Sequence, residues 1–343
     1  MNVINEFSMK YPIIQAPMAG VTTAEMVVAS LEAGVLGAIG AGYMSANQTR
    51  EIIRQVKKES TKPFMVNLFA HEVPPIVQHQ ISIAKQGLID ALNDPFIKKE
   101  EINLSASKYD EQLEVVLEEG VAICSFTFGL PTKRQVRLLK DQGMIVFATA
   151  TSVAEINAII ELELDGIILQ GEEAGGHRGS FIDPIEYNPL STIFKEAKKR
   201  TELPLIVAGG ISTKAQMDYF MNEGASAIMM GTLFLVSDES GAPSAHKQAI
   251  LNAESNTTVV TTSFSGKPAR GVANEFIEKM LMMPVAPFPY QNDLTQGIRS
   301  RAKLNNDGEY MSLWAGTSLY NAKSGTINEI VEKFRLCVKC WGE

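Results

Sequence analysis

Cysteine is scarce: the 343-residue chain holds three, Cys124, Cys337 and Cys340, too few for a disulfide framework of the secreted kind. The Cys337-Val338-Lys339-Cys340 spacing has no second ligand pair beside it, and structural zinc takes four ligands, so two reduced thiols on a terminal helix are expected. Long apolar runs are missing, which excludes a membrane-spanning helix, and residues 1–7 lack the basic start and apolar stretch of a signal peptide. A cytoplasmic location follows as the default. Positive charge is short as well. With a formal charge of −8 and no Lys/Arg stripe, the chain offers neither nucleic acid nor an anionic membrane the cationic surface it needs. No glycine loop is followed by a Walker lysine, and Gly37-Ala38-Ile39-Gly40-Ala41-Gly42 lacks the spacing of the dinucleotide fingerprint, so P-loop and Rossmann enzymes are disfavoured.

What the chain does contain is a rhythm. Short apolar runs, often β-branched, recur at residues 12–15, 35–39, 64–68, 121–125, 145–148, 166–170, 205–208 and 227–230, separated by segments with helical spacing. Strand then helix, repeated eight times, reads as an α/β fold, a (β/α)8 TIM barrel whose parallel strands are buried on both faces. An open doubly wound sheet uses the same local units; the strand count and the placement of the candidate residues favour the barrel. Thr22-Thr23-Ala24-Glu25, Thr132-Lys133-Arg134-Gln135 and Ser152-Val153-Ala154-Glu155 each read as a capping box. In the helix after Ser152, Val153, Ile156, Ile159 and Ile160 share an apolar face, which leaves Glu155, Asn157 and Glu161 for the wet one. The barrel is expected over residues 1–237 with a helical excursion at about 70–118. Residues 238–343 read as a mainly helical C-terminal appendage covering one end of the barrel, with one β-prone run at 257–264.

Function in such a barrel sits where strands end and loops begin. Those positions hold Ala16, Pro17, Met18 and Ala19 after the first run, Asn67 after the third, Gln170 and the stretch GEEAGGHRGS after the sixth, Gly209 and Gly210 after the seventh, and Met229, Met230, Gly231 and Thr232 at the eighth. Loops after the last two strands often make a phosphate site in this fold, and glycines there let the main chain approach an oxyanion. His177, one of four histidines, follows Gly175 and Gly176 and faces that phosphate region. His71 is a weaker candidate, and His79 and His246 are expected on helix surfaces. Tyr43, Phe126, Phe128 and Trp314 are candidate pocket aromatics. Glu172, Glu173 and Arg178 are expected to be solvated or paired with one another.

The ordered set QAPMAG (15–20), GAGYM (40–44), KPFMVNLF (62–69), SFTFG (125–129), EAGGHRG (173–179), AGGI (208–211), MMGTLFL (229–235) and LWAG (313–316) resembles the nitronate monooxygenase family over nearly the whole chain. The resemblance implies an FMN-dependent barrel enzyme that oxidises alkyl nitronates, such as propionate 3-nitronate, with O2 to a carbonyl compound and nitrite. It places Asn67, Gln170, Gly175, Gly210 and residues 229–232 at FMN and makes His177 the active-site histidine. The residues suit these roles: Gly209, Gly210, Gly231 and Thr232 for the phosphate, Asn67 and Gln170 as amides at the ring edge, Ala16 to Ala19 beneath the ring. Met229 departs from the family, which often has glutamine there, so only main-chain contact is expected from it. A nitronate is already an anion, so electron transfer from bound nitronate to flavin needs no base and His177 would donate a hydrogen bond; with a neutral nitroalkane it would take a proton instead. Two rival readings stand beside this one: an FMN-dependent enoyl-acyl-carrier-protein reductase using NADH or NADPH, and a non-catalytic flavin- or phosphate-binding barrel.

Overall fold

A computed structural model describes residues 7–99 and 102–335; the Cys337/Cys340 pair lies outside the described residues. Each of the eight apolar runs forms a strand: β1 (Ile13–Gln15), β2 (Ala38–Gly40), β3 (Met65–Phe69), β4 (Ile123–Thr127), β5 (Ile145–Ala150), β6 (Gly166–Gln170), and, after the two-residue β7 (Gly176–His177), β8 (Leu205–Ala208) and β9 (Ala227–Met230). They join as one sheet in the order β1-β9-β8-β6-β5-β4-β3-β2, with every pair parallel. A parallel bridge between Ile14 and Leu36 brings the two ends together. Pairing is thinnest there, and a side chain reinforces it. Gln15, fully buried, accepts from Ala38 N through Oε1 (3.1 Å) and donates from Nε2 to Ala38 O (3.2 Å), standing in for ladder bonds the short strands do not make.

Alternation along each strand divides the core. Ile14, Met65, Ile123, Phe147, Ile168 and Ile206 fill the barrel interior, and Phe7 closes one end by an edge contact with Phe147. Neighbours such as Ile167 and Leu169 point outward into the helix layer, where most of the apolar side chains lie.

The cap boxes are placed by their hydrogen bonds. Thr132 and Gln135 close a full reciprocal box. The first helix (Ala24–Glu32) starts one residue later than the sequence suggests, with Thr23 as the cap accepting from Met26 N. Ser152 caps Glu155 N, yet Glu155 does not reciprocate: it is fully buried rather than on the wet face, drawn inward by four donors described below.

The excursion after β3 and the C-terminal segment meet over the barrel. Ile81, Leu88 and Ile97 from helices Gln78–Leu92 and Pro95–Lys99 pack with Phe276, Tyr290, Leu294 and Ile298 from helices Glu275–Lys279 and Tyr290–Leu304 in a core of their own. Asp293 fastens the two segments by accepting from Ser105 N and Oγ, each at 2.7 Å. The C-terminal segment is less purely helical than its pattern suggests. Strands β10 (Thr258–Thr261) and β11 (Ala269–Val272) pair antiparallel, and β11 also pairs with β7, so the loop after β6 becomes the edge of a three-stranded sheet. The last described helix, Ile327–Glu332, returns to the barrel and buries Ile327, Ile330 and Val331 in the outer core beside Met26 and Val27.

Candidate active site

A cavity of about 840 Å³ opens at the C-terminal ends of the strands, within the range of cofactor and substrate pockets. Ala16, Pro17, Met18, Ala19, Asn67, Gln170, Gly175, Gly176, His177, Gly209, Gly210, Met229, Met230, Gly231 and Thr232 all line it. Of the candidate aromatics, Tyr43, Phe128 and Trp314 line it too, whereas Phe126 faces the helix layer and packs on Tyr109.

The glycines have different reasons to be there. Gly209 and Gly210 hold φ of +127° and +65°, and a Cβ on Gly210 would sit 2.8 Å from Glu173 Cβ, so both backbone and packing require glycine. Gly231 is unlike them. A Cβ there would meet nothing closer than 3.7 Å, so its smallness leaves the cavity wall open rather than relieving a clash. At Gly175 a Cβ would lie 2.4 Å from the Ala315 carbonyl carbon, which makes this glycine the seat of the Leu313-Trp314-Ala315-Gly316 turn.

The loop after β6 is held by buried polar groups. Glu155 takes Thr151 N (2.6 Å) and Oγ1 (2.8 Å) on one oxygen, and Phe181 N (2.6 Å) and Ile182 N (3.1 Å) on the other. Arg178, 6% exposed, donates to three backbone carbonyls, Gln170, Thr151 and Glu186, instead of pairing with Glu172 or Glu173. Glu173 accepts from Leu190 N at the start of helix Leu190–Lys198. Gln170 spends its amide on the same loop, donating to His177 O (3.1 Å) and accepting from Gly179 N (2.8 Å). Every charge in GEEAGGHRGS whose side-chain bonds are seen thus shapes the loop.

His177 projects from β7 among aromatic rings, with Trp314 at 5.4 Å, Phe128 at 5.8 Å and Phe288 at 6.0 Å. Its Nε2 hydrogen-bonds Ser265 Oγ at 2.8 Å, and Ser265 is tied in turn to Lys267 O (3.1 Å). Burial, then the positive charges of Lys267 and Arg299, push the His177 pKa down to about 3. The imidazole is therefore uncharged at neutral pH, and Nδ1 is left without a partner among the described residues. Phe128 holds a left-handed backbone (φ +70°), kept by burial beneath Lys267 and by an N–H donated to Gly179 O. Strain of this kind in a non-glycine residue concentrates at functional sites.

Asn67 is nearly buried and donates from Nδ2 to Ser125 Oγ (2.9 Å) and Thr127 Oγ1 (3.0 Å), which fixes the amide orientation. His71 does not line the cavity; it packs on Phe288 at 4.9 Å, its Nδ1 buried and unpartnered. His246 is not a surface residue either. It is 4% exposed and its Nε2 hydrogen-bonds Trp314 O at 2.9 Å, because its helix (Ser244–Leu251) lies under the Trp314 turn. His79 is exposed, as expected. Sequence reasoning missed Ser265, Lys267 and Arg299, which come from the segment after residue 237 and carry no strand-end signal. Among the described residues no cluster of side chains is arranged to hold a metal ion, and no helix is long and apolar enough to cross a membrane.

A closed eight-stranded barrel with this cavity at its strand ends is an oxidoreductase by its relatives. The family model for nitronate monooxygenase matches residues 2–336, and the chain belongs to that family. Probable nitronate monooxygenases are 38% identical in Staphylococcus saprophyticus (91% of this chain, 90% of that protein) and 35% in Bacillus subtilis (92% of each). Among solved structures, a nitroalkane oxidase from Streptomyces ansochromogenes superimposes with a TM-score of 0.90 at 31% identity, covering 97% of this chain and 96% of that one. FabK from Thermotoga maritima is more distant, with a TM-score of 0.76 at 26% identity over 98% and 96% of the two chains.

Proposed function

We propose that the cavity holds FMN and that the protein oxidises alkyl nitronates, such as propionate 3-nitronate, with O2, giving a carbonyl compound and nitrite. The observation that carries the substrate side is His177: an uncharged imidazole, fixed by Ser265 and flanked by Lys267 and Arg299, in a field that favours an anion. The walls suit a flavin phosphate where Gly209 and Gly210 expose left-handed backbone and Gly231 leaves room, with Thr232 beside them. The main chain at Gly175, Gly176, Met229 and Met230 would offer hydrogen-bonding groups to the ring system and Ala16 to Ala19 would lie beneath it, while Asn67 and Gln170, whose amides already bond Ser125, Thr127, His177 O and Gly179 N, would line the ring with only the hydrogen-bonding capacity those contacts leave. Met229 is apolar and buried, so it serves through its backbone. Bound there, FMN supplies the electron acceptor for the substrate and the route to O2.

The chain's own contribution is placement. A base with a pKa near 3 is far from matched to taking a proton from a neutral nitroalkane at neutral pH, whereas a nitronate arrives with that proton already gone. His177 then acts as a hydrogen-bond donor through Nδ1–H in the tautomer reached when the single Ser265 hydroxyl proton turns from Lys267 O to Nε2, so Ser265 sets which nitrogen carries the proton. The ring of Phe128, Phe288 and Trp314 excludes water from the anion. A cytoplasmic location belongs to the same reading.

The test is the absorption spectrum of the purified protein under anaerobic conditions. A yellow protein bleached by propionate 3-nitronate and not by NADH or NADPH is expected. Bleaching by a nicotinamide alone points to the enoyl-acyl-carrier-protein reductase reading, and a colourless protein that takes up no FMN removes the flavoenzyme reading. His177→Asn should lower turnover of nitronate by about 100-fold or more. Loss confined to the neutral nitroalkane would make His177 a base after all.

A further inference from the structure

We infer that Arg299, with Tyr43 beside it, forms a subsite for a second anionic group on the substrate, a carboxylate carried a few bonds from the nitro carbon; this rests on the nitronate reading. The charge of the lining is the starting point. The chain has 39 acidic residues and a net charge of −8. Among the described residues, no aspartate or glutamate lines the cavity, and the charged side chains that do are Arg299 and Lys303.

Arg299 projects from helix Tyr290–Leu304 and is held by neutral acceptors. Nε donates to Thr295 Oγ1 (3.2 Å), and Nη2 donates to Asn292 O (2.7 Å) and Oδ1 (2.8 Å). Nη1 has no acceptor, and no carboxylate of the described residues comes within ion-pair distance of the guanidinium. Asp293 is near enough to be felt, but its two oxygens are taken by Ser105. The guanidinium is thus oriented and largely enclosed, with one edge of its fork unmatched. Carboxylate and phosphate are the groups that guanidinium N–H donors match best, and the carboxylate is the one a nitronate substrate can carry.

Tyr43 supplies an independent sign. It lines the same cavity, its hydroxyl is buried without a hydrogen-bond partner, and it lies within electrostatic reach of Arg299. A buried phenol with no partner is uncommon in native proteins and calls for an acceptor at that spot. Arg299 and His177 line the same cavity, so a small molecule with its nitro carbon at the imidazole has the guanidinium in the same chamber as its chain. The subsite therefore selects for a terminal carboxylate.

The experiment compares kcat/KM of the FMN-loaded enzyme for propionate 3-nitronate and for propyl-1-nitronate, which lacks the carboxylate. The parent should favour the carboxylated substrate, and Arg299→Gln should reduce that preference about 10- to 100-fold, the worth of a hydrogen bond to a charged group. Tyr43→Phe, which removes one oxygen and preserves packing, should reduce it several-fold. Equal losses on both substrates, or no preference in the parent, overturn the inference. Binding of succinate, followed by thermal shift against inorganic phosphate and chloride, separates this result from the wider reading. If the parent oxidises no nitronate yet succinate stabilises it and not Arg299→Gln, the subsite stands and the reaction assignment falls. Equal stabilisation by phosphate or chloride, or none by succinate, removes the subsite.

Discussion

Glutamine in place of Glu155 changes one atom in a side chain that never meets water. In the native protein the two carboxylate oxygens take four donors: three backbone N–H groups, from Thr151, Phe181 and Ile182, and the Thr151 hydroxyl. A carboxamide accepts on one oxygen only. Turned so that Oε1 serves Phe181 and Ile182, it aims an NH2 at Thr151, where the hydroxyl can rotate to accept but the backbone N–H cannot. One buried N–H is left unpaired, at about 1–3 kcal/mol, and two bonds to Phe181 and Ile182 lose their charge assistance, at about 1 kcal/mol together. Arg178 also loses a nearby counter-charge. The expected destabilisation is about 2–4 kcal/mol, a large share of the roughly 5–15 kcal/mol available to a folded protein. Denaturant titration should show the midpoint falling with little change in slope, and the turnover of nitronate should fall because the loop that carries His177 is loosened. A change below about 0.5 kcal/mol would refute the idea that this carboxylate gathers the loop.

Ser265→Ala removes the partner of His177 Nε2; kcat is expected to drop about 10-fold with KM within about threefold, as for one lost hydrogen bond in the transition state, and an unaltered pH–rate profile would argue that Ser265 does not set the tautomer. Gly175→Ala places a methyl 2.4 Å from the Ala315 carbonyl carbon, so melting should fall by the equivalent of about 1–3 kcal/mol, together with activity; a neutral outcome would mean the Trp314 turn yields freely. Acid stability follows from the histidines. His246, 4% exposed, has its pKa pushed down to about 4 by burial, so the unfolded chain takes up a proton that the native state refuses. Its contribution is complete above the unfolded value near 6.5 and is lost as pH falls toward 4: about 2 kcal/mol lower at pH 5 than at pH 7. His71 and His177 act in the same direction. Unfolding free energies between pH 7 and pH 5 check this, and a His246→Gln variant should flatten the slope.

Much of the fold is legible because parallel barrel strands are buried on both faces, so each reads as a short, mainly apolar run, and each of the eight runs forms a strand. The residues at their ends follow from chain position, which is why the candidates meet at one cavity. What escaped is what tertiary contact decides. Helical spacing sends Glu155 toward water, yet donors from two loops hold it inside. His246 looks like a helix-surface residue until the Trp314 carbonyl is placed above it. Strands β7 and β11 have no alternating pattern; the Gly176–His177 pair is extended because Ala269 and Arg270 lie alongside. Arg299 sits in a polar helix where its spacing gives no reason to single it out.

The pairing of β7 with β11 has a bearing on how the protein comes into being. Synthesis proceeds from the N-terminus, and the barrel strands are complete once Met230 has emerged. His177 must then wait for Ala269, about ninety residues downstream, and for the Trp314 turn beyond it, before its loop has a partner. Until both arrive the reaction chamber is unfinished, whatever the state of the strands. Competence to turn over substrate thus requires the chain through the Trp314 turn and not the eight barrel strands alone.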